Sequence, residues 1–204
     1  MSDMNYRALR FDELTVQRNR GEEVAKAIKA NGAAGSQTLG VWLPMIGVST
    51  NVVSAITNWT AEPTKPDYKD EKIVGVRTRL FDTLARGQNP CTADGIYTHR
   101  WFMVAADNVQ MLTDTSVEAW KSMEADTDAR IAGFWLDRER NAKGEAVVLM
   151  IVYYPSLAAW DASRYWKPAP TGDLQPNRNV WGGLFAQRRD ILLDSWVSIH
   201  RLAK

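Results

Sequence analysis

The strongest constraint on this chain is that its strand signals occur twice, in the same order. Tyr6-Arg7-Ala8-Leu9-Arg10-Phe11 matches Tyr97-Thr98-His99-Arg100-Trp101-Phe102 at an offset of 91, Gly40-Val41-Trp42 matches Gly133-Phe134-Trp135 at 93, and Val52-Val53 matches Val147-Val148 at 95. A last pair, Leu80-Phe81-Asp82-Thr83-Leu84 and Leu192-Leu193-Asp194-Ser195-Trp196, stands at 112. The Pro/Gly/Asn-rich stretch at about 167–180 absorbs the jump as a surface insertion. Two repeats are therefore expected, at 1–90 and 91–204.

Between the first two strands of each half lies a short helix candidate. Thr115 and Glu118 fit a capping box ahead of Val117, Trp120 and Met123, and Glu22 and Glu23 favour a helix start before Val24 and Ile28. Gly133 to Arg138 and Glu145 to Tyr154 flank a turn at Gly144, which reads as a hairpin, and Leu43 to Asn51 is its counterpart. Ser156 is placed to cap a helix running to Tyr165, whereas the equivalent stretch of the first half is broken by Pro63 and Pro66. Each half thus reads β-α-β-β-α-β, the ferredoxin-like order. A sheet covered by helices on one face must bury the other. The expected fold is α+β: two tandem ferredoxin-like repeats whose antiparallel sheets pack as an α/β barrel.

Lys and Arg number 25 against 24 Asp and Glu, and neither half holds a basic excess, so a nucleic-acid partner is not expected. The longest apolar run, Ala146 to Tyr154, has 9 residues where a membrane helix needs roughly 20. The N-terminus lacks the apolar stretch of a signal peptide, and the one cysteine, Cys91, excludes an internal disulfide; a cytoplasmic protein is expected. With only His99 and His200 besides Cys91, no Cys/His metal site is expected.

Ile131-Ala132-Gly133-Phe134-Trp135, the run Ala146 to Leu157 with its Val-Val strand and Tyr154-Pro155-Ser156-Leu157 corner, and the following Arg164 resemble the NIPSNAP family. The match covers about 40 residues well and, through the repeat, most of the chain weakly. Met150 and Val152 stand where members of that family often carry a His and a Trp. The resemblance implies a tandem ferredoxin-like, dimeric α/β-barrel fold, close to antibiotic-biosynthesis monooxygenases, haem-degrading enzymes and muconolactone isomerases. It implies no single reaction.

His99 shares a strand face with Tyr97 and Trp101, while Arg100 shares the other with Thr98 and Phe102. His99 is the candidate general base or, in a haem protein, the iron ligand; otherwise it is a core imidazole bonded to backbone. Seven of nine tryptophans fall in the second half, so Tyr97, Trp101, Trp135, Tyr154 and Trp160 are candidate walls for a flat hydrophobic ligand, or else core and oligomer interface. Arg164 is expected on the buried side of its helix, where it needs an anion: Asp194, Asp82, or a substrate carboxylate or enolate. Arg188-Arg189 and Arg138-x-Arg140 read as solvated charges paired with Asp190, Asp137 and Glu139. Three functions compete. The first is a barrel protein that binds a small hydrophobic or aromatic molecule between the second sheet and its helices. As an enzyme it would be a cofactor-independent monooxygenase or isomerase, with His99 and Arg164 catalytic. The alternatives are a non-enzymatic module that forms homo-oligomers or binds proteins, and a haem-binding protein.

Overall fold

Eight strands close into a single barrel, every neighbouring pair antiparallel. The computed structural model describes residues 8–30, 35–64, 67–168 and 175–204. In chain order the elements are β1 (Ala8–Val16), α1 (Gly21–Ala30), β2 (Ser36–Ile46), β3 (Val52–Trp59) and β4 (Ile73–Arg86), then β5 (Ile96–Val104), α2 (Val109–Asp126), β6 (Arg130–Arg140), β7 (Ala146–Tyr154), α3 (Leu157–Ala162), α4 (Arg178–Asp190) and β8 (Leu192–Leu202). Read around the barrel, the order β4-β1-β3-β2 is followed by β8-β5-β7-β6. Each half is thus a four-stranded ferredoxin-like sheet, and the seams β2–β8 and β4–β6 are hydrogen-bonded edge to edge. A closed sheet has no exposed edge to template aggregation.

The halves correspond in strand order, but two of the four offsets differ from those read in the sequence. Trp42 pairs with Ser54 and Trp135 with Leu149, which confirms the offsets of 93 and 95. Ala8 pairs with Trp59 and Ile96 with Tyr154, so β1 and β5 correspond at 88, not 91. Leu9 pairs with Phe81 and Tyr97 with His200, which sets β4 against β8 at 119, not 112. Both corrections are odd numbers, so they exchange the two faces of the strand. Phe11 and Phe81 thereby become the counterparts of His99 and His200, and Asp82 and Asp194 are not counterparts at all. Tyr6, which led the first match, lies outside the described residues.

The Gly-x-Trp motif is a bulge that occurs twice. The register slips by one residue between Thr38 and Gly40 and again between Ile131 and Gly133. In each case the indole two residues on folds back over the glycine: a Cβ on Gly40 would lie 2.4 Å from the Trp42 ring, and one on Gly133 would lie 2.0 Å from that of Trp135. Only glycine leaves room for the ring.

Two helix expectations are corrected. α2 begins at Val109, six residues before Thr115, because Leu112, Ser116, Ala119, Trp120 and Met123 already form a buried helical stripe; Thr115 caps nothing. Ser156 does cap α3, accepting from the Ala159 N–H at 3.1 Å, but the second helix of the repeat is α4, which starts inside the expected insertion. Arg178, Trp181, Gly182, Phe185 and Arg188 supply its buried face, and Gly182 lets it close on Tyr165. Residues 169–174 of the insertion, like Pro66, lie outside the described residues. The described part of 60–72 forms no helix and instead brings Tyr68 over β1.

Three apolar clusters follow from this architecture. One fills the barrel, including Phe11, Trp42, Phe81, Tyr97, Trp101 and Trp135. A second lies between the second sheet and α2 and α4, and a third between the first sheet and α1. Most strands are therefore buried on both faces. Among the described residues no helix is long and apolar enough to cross a membrane.

Candidate functional site

Strand alternation divides the expected site residues between two places. Tyr97, His99 and Trp101 on β5 and Trp135 on β6 point into the barrel. Arg100 and Tyr154 point the other way, toward the helices, and there they meet Arg164. His99 and Arg164 thus lie on opposite faces of the second sheet.

Inside the barrel, His99 is 1% exposed and stacks on His200 with ring centroids 3.9 Å apart. Ser198 Oγ lies 2.7 Å from His200 Nε2, while His99 Nε2 and His200 Nδ1 are buried without a hydrogen-bond partner. Burial holds the His99 pKa well below its ordinary value, helped by the neighbouring His200, and burial alone lowers that of His200 to about 4. A cavity of about 120 Å³ at one barrel mouth touches His99, Trp101, Ser198 and His200 under a rim of Glu13, Arg77, Arg79 and Trp196. Trp135 does not reach it. Its indole is wedged between Gly133 and Gly87, and Gly87 itself adopts a positive φ of 86°. Tyr97 donates to the Ala93 carbonyl at 2.9 Å. Cys91 is half-buried at the opposite mouth, and desolvation pushes its thiol up to about 12, which makes it a poor nucleophile. Among the described residues, the cavity beside the histidines is far too small for a porphyrin, neither His nor Cys lines the helix-side pocket, and no His lines the larger cavity of about 510 Å³ beside Cys91.

The histidine pair makes folding pH-dependent. In the unfolded chain His200 takes up a proton near 6.5, whereas in the folded protein it does so only near 4. Stability therefore falls as pH drops from about 6.5 to about 4, by about 3 kcal/mol for His200 alone, and His99 adds in the same direction. Replacing both by Phe copies the Phe11 and Phe81 layer of the first repeat and should remove this acid limb from a plot of Tm against pH. A limb of unchanged depth would assign it to carboxylates instead.

The helix-side pocket has an apolar wall of Trp120, Met123, Ile131, Met150, Val152 and Phe185, with Tyr154 and Tyr165 beside them. The cleft holds about 50 Å³, against about 120 Å³ for the barrel-mouth cavity. Three guanidinium groups line it, from Arg100, Arg164 and Arg188, and no acidic side chain among the described residues does so. Arg164 stands just past the end of α3, 3.7 Å above the Trp160 ring, which holds it toward the pocket. Its nearest acid is Asp161 at 3.6 Å, a weak exposed pairing, and not Asp82, which binds Arg138, nor Asp194, which accepts from the Ser195 N–H. Arg188 is also corrected. It is not a solvated charge but 8% exposed, and burial together with the charge of Arg100 lowers its pKa to about 9. Trp181, Phe185 and Arg188 at helical spacing were the sequence signal for that burial. Arg138 bonds Glu62 and Asp82, and Arg140 the Asp137 carbonyl, rather than the expected carboxylates.

No family model matches the sequence, and no curated protein does. Solved structures share its fold. An anthrone oxidase-like protein superimposes with a TM-score of 0.66 at 12% identity, over 98% of this chain and 92% of its own. Provisionally named monooxygenases from Lactobacillus acidophilus and Fusobacterium nucleatum give TM-scores of 0.61 and 0.58 at 8% and 10% identity, over 98% of this chain and 95% and 93% of theirs. At these identities the likeness establishes the fold.

Proposed function

We propose that this chain binds a small hydrophobic or aromatic molecule in the helix-side pocket of its second repeat and oxidises it without a cofactor, as a NIPSNAP-like member of the dimeric α/β-barrel superfamily. The observation that carries this reading is the pairing, in one cleft, of an aromatic wall with guanidinium groups and, among the described residues, no acid. Among the described residues no imidazole or carboxylate lines the cleft to take a proton, which suits a substrate that ionises readily by itself. Arg100 and Arg164 favour the enolate of an enolisable ketone by placing positive charge beside its oxygen. Dioxygen then converts the activated CH2 to C=O, and its second oxygen atom leaves as water. The monooxygenase and anthrone oxidase-like names of the structural neighbours agree with this chemistry.

Oxygen uptake with anthrone as trial substrate tests the proposal. Turnover is expected, with kcat reduced about 10- to 1,000-fold in Arg100→Gln and unchanged in His99→Phe. Turnover lost in His99→Phe, with stability retained, would move the chemistry to the barrel-mouth cavity, the one observation that favours His99 as the base. The self-association reading draws on exposed Met45, Ile46 and Val48 around the end of β2 and on Leu193 and Val197 of the adjoining β8. Sedimentation of the purified chain decides that point.

A further inference from the structure

Three arginines are buried among the described residues, and two of them are held by a carboxylate or by several carbonyls. Arg10 bonds Asp12 at 2.8 Å and the Thr64 carbonyl at 2.8 Å. Arg178 bonds the carbonyls of Ala162, Arg164 and Lys167 and the side chain of Gln175 through its two terminal nitrogens, leaving only Nε without a partner among the described residues. Arg188 has one hydrogen bond, a long 3.3 Å contact to Ser116 Oγ, and otherwise rests on the rings of Phe102 and Phe185. No carboxylate pairs with it among the described residues, and its charged neighbour is another cation, Arg100, which makes no ion pair among them either. The repeat supplies a second comparison. Arg100 occupies the position of Asp12 in the first half, where the buried charge is closed by Arg10, Tyr68 and Thr78. One copy completes its charge within the chain; the other leaves cations facing a cleft.

Resting on the pocket reading above, we propose that the ligand is an aromatic acid, and that Arg188 is the anchor for its carboxylate with Arg100 and Arg164 beside it. A buried guanidinium without an anion destabilises the empty protein, and an incoming carboxylate offsets that cost while its ring covers the wall of Trp120, Met150 and Val152. A packing arginine would behave in the opposite way: its removal would lower stability and leave ligand preference unchanged.

The test uses the full chain and a matched pair of probes, naphthoate and its uncharged isostere naphthamide, titrated by calorimetry. Naphthoate is expected to bind at least tenfold tighter than naphthamide. Arg188→Gln should abolish that preference while holding or raising the Tm of the unliganded protein, and Arg188→Lys, which keeps the charge but not the fork, should retain only part of it. Equal binding of acid and amide to the unaltered chain would overturn the inference and leave the pocket reading standing. Binding of neither at millimolar concentration would overturn both. An undiminished preference in the variants that fold, or a lowered Tm in both variants, would remove Arg188 from the anchor role.

Discussion

Trp135→Ala is expected to lower folding stability by about 3–5 kcal/mol, among the largest effects of any single truncation in the barrel. The indole is 1% exposed and is enclosed by backbone as well as side chains, because Gly133 and Gly87 lie against its six-membered ring. Neighbours of that kind cannot collapse into the void. Gly133→Ala should cost more than an ordinary overpacking change of roughly 1–3 kcal/mol, since the new methyl would sit 2.0 Å from a ring atom and the ring has nowhere to retreat. The double variant decides between this account and a general core effect. With the indole gone the methyl fits, so Gly133→Ala should add little on top of Trp135→Ala, and the two costs should fall short of additivity by well over 1 kcal/mol in urea denaturation. Additive costs would mean that the glycine serves strand conformation and not the indole. Gly40 and Trp42 repeat the geometry and should repeat the result.

The same motif explains why some of the fold was legible in the sequence and some was not. Gly-x-Trp and Val-Val aligned the halves correctly because each has a fixed place: a ring over a bulge, and a pair of branched residues at the start of the strand that returns from the hairpin. The first and last strands have no such fixed point, and matching them by letter slipped by an odd number of residues. An odd slip would normally be betrayed by polar side chains turned inward. In β1 and β5 both faces are buried, so alternation carries little information, and β4 and β8 are exposed over most of their length, so few of their residues mark an inward face. That is also why the grouping of Tyr97, His99 and Trp101 on one face could be read while the direction of that face could not. Arg188 was missed for a different reason. Its Arg-Arg-Asp context looks solvated, and its burial depends on α4 reaching across to α2 after an insertion that hides the start of the helix.

The second large effect is expected at Asp12, where truncation to Ala should cost about 3–5 kcal/mol. Asp12 is fully buried and accepts three hydrogen bonds, from Arg10 Nε at 2.8 Å and from the hydroxyls of Tyr68 and Thr78 at 2.7 Å each. Removing it leaves the Arg10 cation buried over the Trp59 ring with only the Thr64 carbonyl to accept from it. Replacing Asp12 and Arg10 together by Leu and Met should recover most of the loss, because the penalty belongs to the unpaired charge and not to the missing volume. Denaturation midpoints of the two single variants and the double variant check this, and a double variant as unstable as Asp12→Ala would mean that the network specifies the strand packing itself. Arg100, at the corresponding place in the other repeat, should matter for binding and not for stability. Arg100→Gln is expected to leave stability within about 0.5 kcal/mol and to weaken naphthoate binding. Asp12→Leu with Arg10→Met should leave that binding unchanged.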